Sequence, residues 1–256
     1  MAKAFWAVVL AADRRGEQNE VARASGVPAK ALAPVGGVPM LFRVLGALEA
    51  CVRVEKTLLL APEVVFEAAR DRFAVEWLVP ESSITESVQK AFARIPSHTP
   101  VLVTTGDNAL LKAEAVEAFL EAIPHAADLA IGLVRYQAVK ARFPSTRRTT
   151  LSFSDGPFCG CNLYAFLTPK GRETVRLWRA VEKDRKRPWK YVGHFDVKGL
   201  ALYLLGRLSS EKARERIKNK FGVDVAFTVL PYPEVAIDVD TLEDLRLADR
   251  LARSLS

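Results

Sequence analysis

The chain has 256 residues, 50% of them hydrophobic and 26% charged, an ordinary composition for a chain that buries a core. Its 37 Lys and Arg against 30 Asp and Glu leave a net charge of +7, and its many aromatic and branched residues exclude a disordered chain. Three cysteines exclude a disulfide framework, and no apolar run approaches the roughly 20 residues that a membrane-crossing helix needs.

The chain opens on a basic and then apolar segment. Asp13, Arg14 and Arg15 cut the apolar run short and no cleavage site follows. Residues 5–12 therefore read as a buried strand rather than a secretory signal, and the cytoplasm is the expected location. Residues 13–38 read as a polar loop rich in Arg, Gly and Pro; so long a loop inside a compact domain is usually functional. Apolar positions at helical spacing predict a helix over 39–51, with Pro39 in its first turn. Strands follow at 57–61, 75–79, 100–105 and 129–134. Helices are expected at 62–73, from Ser82 onward, and at 112–123. This alternation predicts an α/β domain with a mainly parallel sheet. Beyond residue 135 the pattern loosens. Strands at 149–153 and 162–167 flank a turn at 154–157, and a helix is expected at 172–183. An apolar stretch at 197–208 and a basic helix at 210–221 come next, then a strand at 223–230 and a helix at 242–251. No repeat or linker interrupts the chain, so residues 1–256 read as one domain.

Charge is unevenly placed. Residues 135–220 hold 21 Lys and Arg against 7 Asp and Glu, net +14, which leaves −7 for the rest. The densest piece is 183–190. Three readings apply to it: a solvated helix face, nucleic-acid binding, or an anionic small substrate or lipid surface. No zinc spacing, aromatic RNA-binding motif or basic zipper accompanies it, so nucleic acid is not the expected partner.

Ligands of open α/β sheets lie beyond the carboxyl ends of the strands. Three candidates fall there: the loop with Arg14, Arg15, Gly16 and then Lys30; Asp107 after the fourth strand; and Asp238 with Asp240. Basic groups with backbone amides can hold a triphosphate, and two carboxylates from separate strand ends can share a magnesium ion. Asp240 also suits a helix N-cap. Cys159 and Cys161 could form a metal or redox pair, but with Cys51, His98, His125 and His194 they make no zinc spacing, and a structural role is expected.

Four segments carry a family resemblance: Val8-Val-Leu-Ala-Ala12, Lys30-Ala-Leu-Ala-Pro-Val-Gly-Gly-Val-Pro-Met-Leu41, Val103-Thr-Thr-Gly-Asp107 and Ile237-Asp-Val-Asp-Thr-Leu-Glu-Asp244. In this order they resemble the nucleotidyltransferases of the GT-A fold, closest to the molybdenum-cofactor guanylyltransferase-like group and the cytidylyltransferases of sugar or alcohol phosphates. Cys159-Gly-Cys-Asn162 stands where that family carries a Gly-Gly-Asn type turn. The resemblance implies an α/β three-layer fold, with a nucleotide-binding half over 1–134 and an acceptor-binding half over 135–256 that carries the basic helices. It implies Lys30, Asp107 and Asp240 as catalytic residues, with Asp107 and Asp240 holding magnesium or manganese. Leu10, Ala11, Ala12, Arg14, Arg15, Gly16, Thr85 and Ser87 would lie along the nucleotide, GTP or CTP. Gly160 and Asn162 would face a phosphorylated small acceptor, with His194 a further candidate. The first loop departs from the family's glycine-rich pattern, since 12–16 hold one glycine. A GT-A glycosyltransferase and a non-catalytic nucleotide-binding regulator are the alternatives. The segment 199–220 could rest weakly on an anionic membrane. No Gly-x-Gly-x-x-Gly follows the first strand, which disfavours a dinucleotide reductase.

Overall fold

Runs of Val, Leu and Ala without polar alternation become strands covered on both faces. The computed structural model describes residues 4–13, 19–178 and 197–254. The expected contributions of Arg14, Arg15, Gly16 and His194, and the basic run 183–190, lie outside the described residues. The strands are β1 (Phe5–Leu10), β2 (Pro34–Val35), β3 (Val38–Pro39), β4 (Val54–Leu60), β5 (Val75–Leu78), β6 (Val101–Thr105), β7 (Leu129–Arg135), β8 (Thr150–Phe153), β9 (Gly156–Phe166) and β10 (Val225–Val229). They form an eight-stranded sheet in the order β10-β7-β9-β6-β1-β4-β5, with β8 on β9, and a separate β2-β3 hairpin. β1 is central, parallel to β4 and β6, while β9 runs antiparallel between β6 and β7. The sheet is therefore mixed but mainly parallel, as the alternation predicted.

Successive strand residues point to opposite faces, and the two cores follow that rule. Ala7, Val9, Leu102, Ala130, Cys159, Cys161 and Leu163 pack on one face. Val8, Leu58, Leu60, Val101, Val103, Leu129 and Phe166 pack on the other. Helix Met40–Glu49 covers the first face with Met40, Leu41, Val44, Leu45 and Leu48, a helical stripe. Helix Ile84–Arg94 covers the second with Val88 and Ala91. The sheet thus lies between two helical layers.

Three expectations need correction. The loop over 13–38 contains the helix Glu20–Ala24, whose Val21 and Ala22 N–H groups donate to the side chain of Asn19. Five residues are too few to show a helical period. The pattern after 135 conceals a helix, Tyr136–Arg142. Cys159–Asn162 is not a turn: it lies inside β9, which is eleven residues long. The irregularity there is a bulge. Ile131 pairs with Tyr164 but Leu133 pairs with Gly160, and Asn162 has φ 52°. Because two residues are added rather than one, the side-chain parity of β9 survives the bulge. No described helix is long and apolar enough to cross a membrane.

Candidate functional site

The site stands at the carboxyl ends of β1 and β6. Gly106 N–H donates to Leu10 O at 2.8 Å, and a Cβ on Gly106 would come within 3.0 Å of the Ala11 Cβ. Glycine lets the two strand ends close up there. Asn108, fully buried, donates its amide to Cys161 O at 2.9 Å. Asp107 is thus fixed from both sides. Val239 N–H also donates to the Asp107 carbonyl at 3.2 Å, which docks the segment carrying Asp238 and Asp240.

Lys30 enters from the first loop, where its N–H donates to Asp13 Oδ2 at 2.9 Å. Asp13 therefore closes the loop onto its own far end. The Lys30 Nζ lies 2.5 Å from Asp107 Oδ2 and 3.2 Å from Asp240 Oδ1. Burial works against the ammonium, but the charges and hydrogen bonds of Asp107 and Asp240 outweigh it and raise the pKa. Asp107 Oδ1 is buried with no hydrogen-bond partner among the described residues.

Asp238 is the third carboxylate of the group. Its Oδ1 accepts from Arg148 Nη1 at 2.5 Å and its Oδ2 from the Asn162 amide at 3.0 Å. Burial and the nearby charge of Asp107 push its pKa up to about 6; Asp240 adds to this, while Arg148 and Asn162 work against it. Arg148 also reaches Asp244 Oδ1 at 2.6 Å, bracing the start of helix Leu242–Ser254. That helix is capped by Thr241, not by Asp240. Thr241 N–H and Oγ donate to Asp244 Oδ2 at 3.0 and 2.8 Å, and Asp244 N–H returns to Thr241 Oγ at 3.2 Å. The cap frees the Asp240 carboxylate to face Lys30.

The remaining expected residues are placed as follows. Leu10, Ala11 and Ala12 run off the end of β1 beside Gly106. Thr85 and Ser87 are buried on helix Ile84–Arg94. The Ser87 hydroxyl donates to Ser83 O at 2.8 Å and accepts from Glu81 N–H at 2.9 Å, so it serves the helix start. Gly160 and Asn162 stand on β9, with Asn162 turned to Asp238. Cys159 and Cys161 are buried free thiols in the first core, and burial pushes the Cys159 thiol up to about 11. That suits the structural role expected of them. Arg148 has no local motif to announce it, and Asp244 closes the segment Ile237–Asp244 without any sign there that it pairs with Arg148. Asp238 was visible as a candidate beside Asp240, but its role as the hub joining Arg148 and Asn162 appears only in the fold.

Some of the basic side chains among the described residues are spent internally. Buried Arg172 donates to the carbonyls of Ile95 at 3.1 Å, Pro96 at 2.7 Å, and Thr99. Arg214 donates to Val225 O at 2.6 Å, and Lys218 pairs with Asp224 at 2.9 Å.

Among the described residues no three Asp, Glu, His or Cys side chains converge as a complete metal cage. A hard divalent cation needs no such cage when substrate phosphates and water complete its shell. The buried Asp107 oxygen that lacks a partner among the described residues, with Asp240 held on the same lysine, fits such an ion.

Comparison with known proteins gives the family and the fold. A family model described as the MobA-like NTP transferase domain matches residues 7–192. A hypothetical transferase from Thermus thermophilus is 34% identical, with a TM-score of 0.79 over 94% of this chain and 99% of that one. A CMP:2-keto-3-deoxy-manno-octonic acid synthetase complexed with CTP is 15% identical, with a TM-score of 0.60 over 99% of this chain and 100% of that one. The 2-C-methyl-D-erythritol 4-phosphate cytidylyltransferase of Thermus thermophilus is 16% identical, with a TM-score of 0.54 over 98% of this chain and 99% of that one. The last two share the fold alone, the three-layer GT-A-like architecture. No curated protein matches the sequence.

Proposed function

This chain belongs to the family of MobA-like NTP transferase domains, and we propose that it joins an NTP to a small phosphorylated acceptor and releases pyrophosphate. One observation carries the reading. A lysine from the first loop is held between carboxylates 77 and 210 residues further along the chain, one of which has a buried oxygen with no hydrogen-bond partner among the described residues.

In this reaction an acceptor phosphate oxygen bonds to the α-phosphorus. The bond from that phosphorus to the α–β bridging oxygen breaks, and its electron pair leaves with pyrophosphate. The nucleophile is already an anion at neutral pH, so no side chain need remove a proton. Catalysis then rests on positioning and charge neutralisation. Lys30 would exchange its carboxylate partners for phosphate oxygens. Asp107 and Asp240 would hold magnesium, with Asp238 beside them; when bound, the ion supplies positive charge to the phosphate oxygens. Arg148 and Asn162 would keep Asp238 in place.

The test is pyrophosphate release from each of the four NTPs against a panel of sugar, polyol and alkyl phosphates. We expect turnover with GTP or CTP, abolished by EDTA and lowered at least about 100-fold by Asp107→Asn or Lys30→Met. No release with any pair, or turnover untouched by Asp107→Asn, would overturn the reading.

A further inference from the structure

The second face of the sheet carries a cavity of about 570 Å³, within the range of small-molecule sites. It runs along the strands from Leu129 and Val225, at the start of β7 and β10, to Leu10 and Thr105, at the ends of β1 and β6. Its wall is overwhelmingly apolar. Ile131, Tyr164 and Phe227 form the sheet side, while Trp178, Tyr203 and Ile217 come from the helical side. The helical side is tied on: Tyr203 Oη accepts from Ser152 N–H at 3.2 Å, and Asp155 accepts from Ser210 N–H at 2.8 Å. Two cations, Arg216 and Lys220, stand with Ile217 on the helix Ser210–Phe221.

The polar rim lies where the chemistry is. Asn162 lines the cavity and donates to Asp238, and Thr105 lies two residues before Asp107. The Thr105 hydroxyl is buried with no hydrogen-bond partner among the described residues. Gly160 leaves the rim open, because a Cβ there would meet nothing within 4 Å among the described residues. An apolar trough that ends at a phosphate-handling centre calls for a ligand that is apolar at one end and a phosphate at the other.

We propose that the acceptor carries a hydrocarbon tail, that the tail lies in this trough, and that its phosphate sits at the Thr105–Asn162 rim. The assignment rests on the nucleotidyl-transfer reading and narrows it from phosphorylated acceptors in general to alkyl or lipid phosphates. With a monoalkyl phosphate, one phosphate oxygen forms the new bond to the α-phosphorus, and pyrophosphate leaves with the electron pair of the broken bond. The product is a nucleoside diphosphate alkyl ester.

The experiment uses the full chain with magnesium, the preferred NTP, and n-alkyl phosphates of rising length below micelle formation. We expect kcat/KM to rise about fourfold per added methylene until the trough is full. Thermal shifts read the same series without turnover, and dodecyl phosphate should raise Tm where methyl phosphate does not. Ile217→Trp shortens the trough. It should move the optimum to shorter chains, lowering kcat/KM for dodecyl phosphate relative to butyl phosphate at least tenfold, a change of ratio within one protein that misfolding does not give. Turnover on sugar phosphates with a flat alkyl series would overturn this inference and leave the proposed function standing. Chain-length-dependent binding with no turnover of any acceptor would overturn the proposed function, and with it the assignment of the tail to an acceptor.

Discussion

Asn162 does two things at once. Its backbone takes the left-handed φ of 52° that the β9 bulge requires, and its amide holds Asp238. Asparagine tolerates that conformation better than most residues, and glycine tolerates it freely. Asn162→Gly should therefore keep the fold, with a denaturation midpoint close to that of the parent. It should lower pyrophosphate release at least tenfold, because Asp238 Oδ2 loses its donor and only Arg148 still holds the carboxylate. Asn162→Ala should lose turnover and about 1 kcal/mol of stability as well. Equal activity in Asn162→Gly and the parent would show that the amide is not used. At this scale the sequence was legible where a motif is local. Lys30, Asp107 and Asp240 each sit in a short recognisable string, and the fold brings them into contact. Arg148 does not, because its value comes from reaching Asp238 and Asp244 some 90 and 96 residues away. Thr241-Leu-Glu-Asp244 has the capping-box spacing, but no string shows that this cap leaves Asp240 to Lys30.

At the scale of elements, apolar periodicity carried the reading. Every strand from β4 through β7 falls within a few residues of its expected place, because each is an apolar run; β6 and the end of β4 are buried on both faces, while β5 lies at the sheet edge. What escaped were elements defined by pairing or capping rather than by period: the helix held by Asn19, and the first half of β9. Helix Pro169–Glu173 shows how tightly such short pieces are packed. Thr168 caps it, accepting from Gly171 N–H at 3.0 Å and donating to Asp128 at 2.7 Å. That draws Gly171 so close to Asp128 that an added Cβ would lie 2.0 Å from a backbone oxygen. Gly171→Ala should cost about 3 kcal/mol or prevent folding, read as a fall in the urea midpoint. Gly160→Ala, with open space around it, should leave that midpoint within about 0.5 kcal/mol of the parent. A mild effect at Gly171 would mean that the helix shifts to make room.

At the scale of the molecule, the C-terminal helix ties the first loop to the sheet. Asp249 accepts from Gly36 N–H at 2.8 Å in the β2-β3 turn, and from Arg253 at 2.9 Å. The Arg253 hydrogen bond, then that of Gly36, hold its carboxyl below the usual 3.8. A carboxyl depressed in the folded state contributes stability above its unfolded pKa, and that contribution fades as pH falls through the folded value. Asp249→Asn should thus cost less than about 1 kcal/mol at pH 7, since the pair is partly exposed. The gap between variant and parent should close below pH 3.8. A gap that persists into acid would place the effect elsewhere. The net charge also looks different across the whole molecule. Arg148, Arg172 and Arg214 lie in the +14 stretch, yet each is committed to carboxylates or carbonyls of its own chain. These three charges therefore do not count toward the positive surface that the stretch offers to a ligand.

The 210-residue separation of Lys30 from Asp240 has a consequence for synthesis. A ribosome releases the chain from the N-terminus, so β1, the first loop and Asp107 emerge well before the segment that completes the cluster. Until residues 238–254 clear the exit tunnel, Lys30 has only Asp107, Asp238 is missing, and the β2-β3 turn lacks Asp249. Contacts that span so much chain form late and slowly. The nascent protein thus carries an unfinished cluster until the helix Leu242–Ser254 has been made.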